Sequence, residues 1–181
     1  MGPDLYSEEE VIKGCIKKDR RFQEILYRRY ARKMYGICKG YAGNRSLAQD
    51  MLQDAFIKVF RNLGQFTGKG SVEGWIRRIV TNTAIDHLRQ GSNYSGLFRD
   101  ETYNNPEYSE NETFAGIAAK DILSQVSRLP KGARIVFNLY AVEGFSHKEI
   151  AEKLNITTGT SKSQYSRAKQ LLQEWLQKID N

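Results

Sequence analysis

Two cysteines, three prolines and two histidines among 181 residues leave little material for several kinds of protein. Cys15 and Cys38 show no metal-ligand spacing; they read as ordinary helix residues and suit a reducing cytoplasm. His87 and His147 are the only histidines, and neither has a cysteine or second histidine at ligand distance along the chain. No metal, no cofactor and no catalytic site are therefore expected. No apolar run approaches a membrane span, and Met1 to Tyr6 lacks both a signal-peptide core and the Ser/Thr of a myristoylation motif. The expectation is a cytoplasmic chain without membrane insertion. Pro3, Pro106 and Pro130 all fall outside the apolar-periodic segments, and no run of alternating β-branched residues competes with the helical pattern. The fold class expected is all-α.

What is present is positive charge, unevenly placed. The 28 Lys+Arg against 21 Asp+Glu give a formal charge of +7, which favours a polyanionic partner. Residues 1–91 carry 17 basic and 10 acidic side chains, 92–113 carry 1 and 5, and 114–181 carry 10 and 6. The acidic stretch is polar and lacks helical periodicity, so it reads as a flexible linker. A structureless segment of that length does not belong inside one compact domain. The sequence thus predicts two small helical domains, 1–91 and 114–181, joined by an acidic linker, 92–113.

The second domain carries the clearest motif. Ser146 and Glu149 have capping-box spacing, and Phe145 and Ile150 flank them as a hydrophobic staple. A short helix to Leu154, a turn through Asn155 to Thr160 and a long basic helix make a helix-turn-helix. In that last helix Ser161, Tyr165, Ala168, Leu172, Trp175 and Ile179 step by four and three along one stripe, which is expected to face inward. Lys162, Ser163, Ser166, Arg167 and Lys169 are expected outside, where such side chains read base edges and hold phosphates.

The first domain reads as helices near 8–17, 21–41, 47–63 and 72–90, with Ser46 (paired with Gln49) and Ser71 as starting caps. In the second of these, Arg28, Arg29, Arg32 and Lys33 form a basic cluster, either a solvated face or a polyanion contact. The third buries Leu47, Met51, Leu52, Phe56, Val59, Phe60 and Leu63, leaving Asp50, Gln53, Asp54, Ile57 and Arg61 on an outer face. Two readings fit this acidic-amide stripe: a solvated face, or a surface for a protein that offers arginines. The loop 66–71 holds Gly68 and Gly70, which permit close backbone approach. In the fourth helix Trp75, Ile76, Ile79 and Val80 are expected inward, while Arg78, Asn82 and Arg89 share an outer face. With Phe66 beside them, these groups suit phosphates and unpaired bases.

Residues 50–60, residues 70–89 and the pair of segments Leu129 to Phe137 and Glu143 to Ser163 together resemble the extracytoplasmic-function sigma factors of the sigma-70 family. The resemblance covers most of the chain in family order. It implies a non-enzymatic specificity subunit for bacterial core RNA polymerase. By that resemblance Asp50, Gln53 and Asp54 dock on the helical clamp of the largest polymerase subunit. Phe66 and Asn82 bind the flipped, single-stranded -10 promoter element, with Arg78 and Arg89 on its backbone. Lys162, Ser163, Ser166 and Arg167 point at the duplex -35 element, and the acidic linker threads the channels that RNA later occupies. Many relatives are held inactive by an anti-sigma factor, although no residue identifies one here.

Three positions depart from the family pattern: Ser161 stands where an apolar residue is usual, Gln164 where an arginine is, and Thr157 where a proline-like turn residue is. The serine is expected to weaken the seating of the recognition helix, and the glutamine to remove a phosphate contact. The competing reading is a helix-turn-helix regulator that binds duplex DNA by itself. Such a protein has no need of the Asp50, Gln53, Asp54 stripe or of the Phe66, Asn82 pair.

Overall fold

A computed structural model describes residues 6–91, 94–98 and 125–177. Within them every regular element is helical, in the order α1 (Glu8–Ile16), α2 (Arg20–Tyr41), α3 (Arg45–Asn62), a 3-10 turn (Leu63–Gln65), α4 (Val72–Gln90), a 3-10 turn (Ser95–Phe98), α5 (Lys131–Phe137) running into a π turn (Asn138–Val142), α6 (His147–Leu154) and α7 (Thr158–Gln177). The chain divides between Leu88 and Arg89 into two compact units.

Local chemistry sets the helix starts of the first unit. Ser7 and Glu10 form a full capping box on α1, and the Asp19 carboxylate accepts from the Arg21 amide to start α2. For α3 the cap is Asn44, whose side chain accepts from the Leu47 amide at 2.8 Å, rather than Ser46. Asn44 is a better acceptor here because its backbone is extended (φ -153°, ψ 172°) while Arg45 and Ser46 are already helical. Ser71 caps α4 as expected, accepting from the Gly74 amide at 3.1 Å.

The core of this unit is apolar and tight. Leu26, Met34, Met51, Leu63 and Ile76 are at most 1% exposed, and burying each such side chain stabilises by about 1.5–3 kcal/mol. α1 lies so close to α2 that a Cβ on Gly14 would enter the Phe22 ring. Tyr30 Oη donates to Glu8 at 2.7 Å, and the Tyr27 and Phe56 rings meet edge to face at 4.7 Å between α2 and α3. Two polar links bridge α3 and α4, His87 to Asp54 at 2.8 Å and Lys58 to Asp86 at 3.1 Å. The exposed ion pair is worth about 0–1 kcal/mol, so the apolar contacts decide the stability of the unit.

The second unit is built on α5 and α7. Val126, Leu129, Ala133, Phe137, Ala168 and Leu172 form its core, with Tyr165, Leu171 and Trp175 packed against them. The predicted capping box is present: Ser146 Oγ accepts from the Glu149 amide, and the Glu149 carboxylate takes the Ser146 amide at 2.8 Å. α6 ends at Asn155, which takes the left-handed conformation (φ 51°) that asparagine tolerates. Thr157 then starts α7, its hydroxyl oxygen accepting from the Thr160 amide at 3.0 Å.

Of the stretch expected to be linker, 92–93 and 99–113 lie outside the described residues, as do 114–124 and Ile179. Residues 94–98 differ from that expectation: Ser95–Phe98 form a 3-10 turn that belongs to the second unit and packs on α5. Tyr94, Leu97 and Phe98 supply apolar surface that an acidic, polar average conceals.

Candidate nucleic-acid and polymerase interfaces

Three surfaces collect the residues singled out by the sequence. On α3, Asp50, Gln53 and Asp54 are exposed, followed at helical spacing by Ile57, which is 50% exposed, and by Arg61. A half-exposed isoleucine among carboxylates and an amide gives the stripe an apolar centre with a polar rim. One carboxylate is engaged within the chain, since Asp54 Oδ2 meets His87 Nε2 at 2.8 Å. A carboxylate has about four lone-pair sites, so the pairing leaves Asp54 able to receive a guanidinium.

On α4, Arg78 and Arg89 are exposed and Asn82 is half-buried. The structure adds Trp75 to this surface. Trp75 precedes Arg78 by three residues, on the same stripe, and is only half-buried, whereas Ile76 and Val80 are fully buried. The Phe66 ring packs against Trp75 with centroids 5.8 Å apart, so the two aromatics stand together at the N-terminal end of the stripe. Gly68 (φ 75°) and Gly70 (φ 84°) take backbone conformations closed to most side chains and turn the loop around Phe66 into α4. Reading Trp75 as inward missed this because a residue at the edge of an apolar stripe satisfies either face.

On α7, the expected outer face is only partly outside. Lys162 is exposed, and Ser163 and Arg167 are half-buried, Ser163 Oγ donating to the Thr160 carbonyl at 3.0 Å. Ser166 is a correction, being 5% exposed with no hydrogen-bond partner for its hydroxyl among the described residues. Lys169 is another: it is 8% exposed, and its ammonium lies over the Tyr165 ring, 5.3 Å from the centroid. The physical reason is a buried arc on α7 wider than one stripe, including Gln164 and Ser166 as well as Ala168 and Leu172. A three-four periodicity locates the centre of a buried face and not its edges. Thr158 and Gly159, at the exposed start of the recognition helix, were passed over, although the first residues of such a helix commonly meet base edges.

The two departures in α7 also find places. Ser161 is fully buried, and its hydroxyl lies 2.9 Å from His147 Nδ1, tying the first turn of α7 to the first residue of α6. His147 in turn stacks on Tyr140 at 4.4 Å, and Tyr140 meets Tyr165 at 4.5 Å. Gln164 points inward at 5% exposure. A polar pair with aromatic backing thus occupies the place where an apolar contact between the two helices was expected.

Sequence comparison finds two known families, one after the other along the chain. The sigma-70 region 2 family matches residues 26–94, and the sigma-70 region 4 family matches 119–172. The ECF RNA polymerase sigma factor SigE of Mycolicibacterium smegmatis is 31% identical over 84% of this chain, which spans 61% of SigE's own length. RNA polymerase sigma factor SigZ of Bacillus subtilis is 32% identical over 74% of this chain and 75% of its own. The ECF RNA polymerase sigma-E factor of Haemophilus influenzae is 25% identical over 96% of this chain and 97% of its own. Among solved structures, CnrH in complex with the cytosolic domain of CnrY covers 94% of this chain and 97% of its own at TM-score 0.50 and 18% identity, a likeness of fold. The architecture is that of a two-domain, all-helical promoter-specificity factor. The chain belongs to the sigma-70 family, among its extracytoplasmic-function sigma factors.

Proposed function

We propose that this sigma factor, which directs promoter-specific transcription initiation, divides the work among its three surfaces. Asp50, Gln53 and Asp54, with Ile57 at their centre, dock on arginines of the core polymerase clamp. Phe66 and Trp75 stack bases extruded from the -10 element, Asn82 meets a base edge, and Arg78 and Arg89 hold the backbone. Lys162, Ser163 and Arg167, led by the exposed start of α7, contact the duplex -35 element. On this reading 1–91 act as the region that docks and melts and 114–181 as the -35 reader. An anti-sigma partner belongs to the proposal by family, with no residue assigned to it.

One observation carries the reading: Trp75, Arg78, Asn82 and Arg89, with the Phe66 ring of the preceding loop packed on Trp75, form an aromatic-basic stripe on α4, distinct from the carboxylate-amide stripe on α3. Extruding a base costs a few kcal/mol, and stacking returns about 1–3 kcal/mol per base, so two rings are an apt number. A regulator that binds only duplex DNA gains nothing from either stripe.

Asp50→Ala combined with Gln53→Ala is expected to weaken binding to core polymerase by about tenfold, about 1.4 kcal/mol, with helicity unchanged by circular dichroism. Unchanged affinity would remove the docking assignment. Asn82→Ala is expected to reduce opening at the -10 element by permanganate footprinting more than it reduces binding to a duplex -35 fragment. Equal losses in both assays would contradict the assignment of α4.

A further inference from the structure

Asp86 is out of keeping with its surroundings. It is exposed on α4, four residues after Asn82 and beside a stripe assigned to bases and phosphates, where a carboxylate repels the backbone of DNA. Its partner explains the choice. Asp86 Oδ2 meets Lys58 Nζ of α3 at 3.1 Å, and the next residue, His87, meets Asp54 of the same helix at 2.8 Å. Two consecutive residues of α4 thus engage two residues one turn apart on α3, and one of those, Asp54, belongs to the docking stripe.

Each bridge acts on Asp54. A lysine four residues after an aspartate is its ordinary partner on a helix surface. Lys58 stands in that position, yet its ammonium goes to Asp86 instead. Placed on Asp54, it would neutralise the charge that an incoming arginine needs. The second bridge fixes direction. Asp50 and Asp54 are exposed carboxylates one turn apart, and like charges at that spacing repel, favouring rotamers that splay them. A carboxylate only accepts, so His87 Nε2 is the donor, and its bond to Oδ2 holds the Asp54 group while leaving Oδ1 for a partner. The His87 side chain is 21% exposed and that of Asp54 53%, so the donor is the more enclosed of the two and the acceptor is presented to solvent.

We propose that Asp86 and His87 are positioning residues for polymerase docking: Asp86 draws Lys58 away from Asp54, and His87 holds the freed carboxylate ready for a guanidinium. The inference rests on the docking reading of α3 above. It gives α4 two tasks, one stripe for the promoter and these two side chains for the polymerase.

The test is the affinity of the full chain for sigma-free core polymerase, by fluorescence anisotropy, with a calorimetric midpoint to show that each variant folds. Exposed bridges contribute little to stability, so all of them should fold. Asp86→Asn should weaken binding about twofold, the strength of a helical ion pair that must be broken before docking. Adding Lys58→Gln should restore the affinity although the bridge is still missing, whereas Lys58→Gln alone should bind as the unaltered chain does. His87→Leu should weaken binding about twofold to tenfold, the usual cost of ordering one side chain on association. His87→Gln, whose amide can donate to Asp54 from a similar place, should keep most of the affinity. The proposal is overturned by a double variant that binds no better than Asp86→Asn, by a gain from Lys58→Gln that is equal in both backgrounds, or by a His87→Leu protein that binds like the unaltered chain. Asp54→Ala separates that failure from failure of the docking reading. If it weakens binding while any of those results holds, only the positioning role is lost; if it too binds normally, the docking role of Asp54 falls as well.

Discussion

At the scale of single residues, Ser161 and His147 show how a departure from a family pattern can be accommodated. The serine was expected to loosen the recognition helix; in the structure its hydroxyl has a partner 2.9 Å away and an aromatic backing behind that partner. The coupling between Ser161→Ala and His147→Ala in a double-mutant cycle, measured by urea unfolding, should be about 0.5–1.5 kcal/mol. Additive losses would mean the pair does not hold α6 to α7. Cys15 and Cys38 are buried, and desolvation pushes their thiols up to about 11 and about 12. Both should resist iodoacetamide at pH 8 in the folded protein and react once it is unfolded. The sign follows: the unfolded thiols ionise from about pH 8.5 upward while the folded ones do not, so stability should fall as pH rises from there toward the folded values. These partners were not legible in the sequence because a hydrogen bond across a helix turn depends on rotation that periodicity does not specify.

The elements themselves were the most legible level. Their starts rest on local chemistry, as Ser71, Ser146 and Glu149 demonstrate, and the range 72–90 read from periodicity is the range of α4. Where two candidates compete within three residues, as Asn44 and Ser46 do, sequence spacing alone cannot choose, since backbone φ and ψ decide which side chain can reach a free amide. Ser146→Ala should cost about 1 kcal/mol by removing the α6 cap, lowering the thermal midpoint of the second unit by about 4–8 °C. Gly14→Ala should destabilise by about 1–3 kcal/mol, because the new Cβ meets the base of the Phe22 ring where rotation gives no relief. Calorimetry of the full chain reads both, and an unshifted midpoint for Gly14→Ala would show that α1 is free to move away from α2. Acid should weaken the start of α1 as well. Hydrogen bonds from Ser7 hold the Glu10 carboxyl below its usual range, so this contribution is present above the ordinary carboxylate pKa and is lost as pH falls through the lowered value.

At the scale of the whole molecule, the two-domain plan and its polarity were written in composition, with basic ends around an acidic middle. The seat of Tyr94–Phe98 was not, because a contact sixty residues away in sequence, Tyr94 to Leu154, leaves no local signature. Nor could the width of the buried arc on α7 be read, and so Ser166 was placed on the wrong side of it. The exposure of Asp50, Gln53 and Asp54 was better anticipated, and carboxylates at helical spacing on a basic chain ask for a partner other than DNA. That partner is the central claim, and its most direct test is the affinity of the purified chain for sigma-free core RNA polymerase, by fluorescence anisotropy at near-physiological salt. The account predicts tight, saturable binding that another sigma factor competes away and that Asp50→Ala with Gln53→Ala weakens about tenfold. Absence of binding by a folded protein that still holds duplex promoter DNA would contradict it.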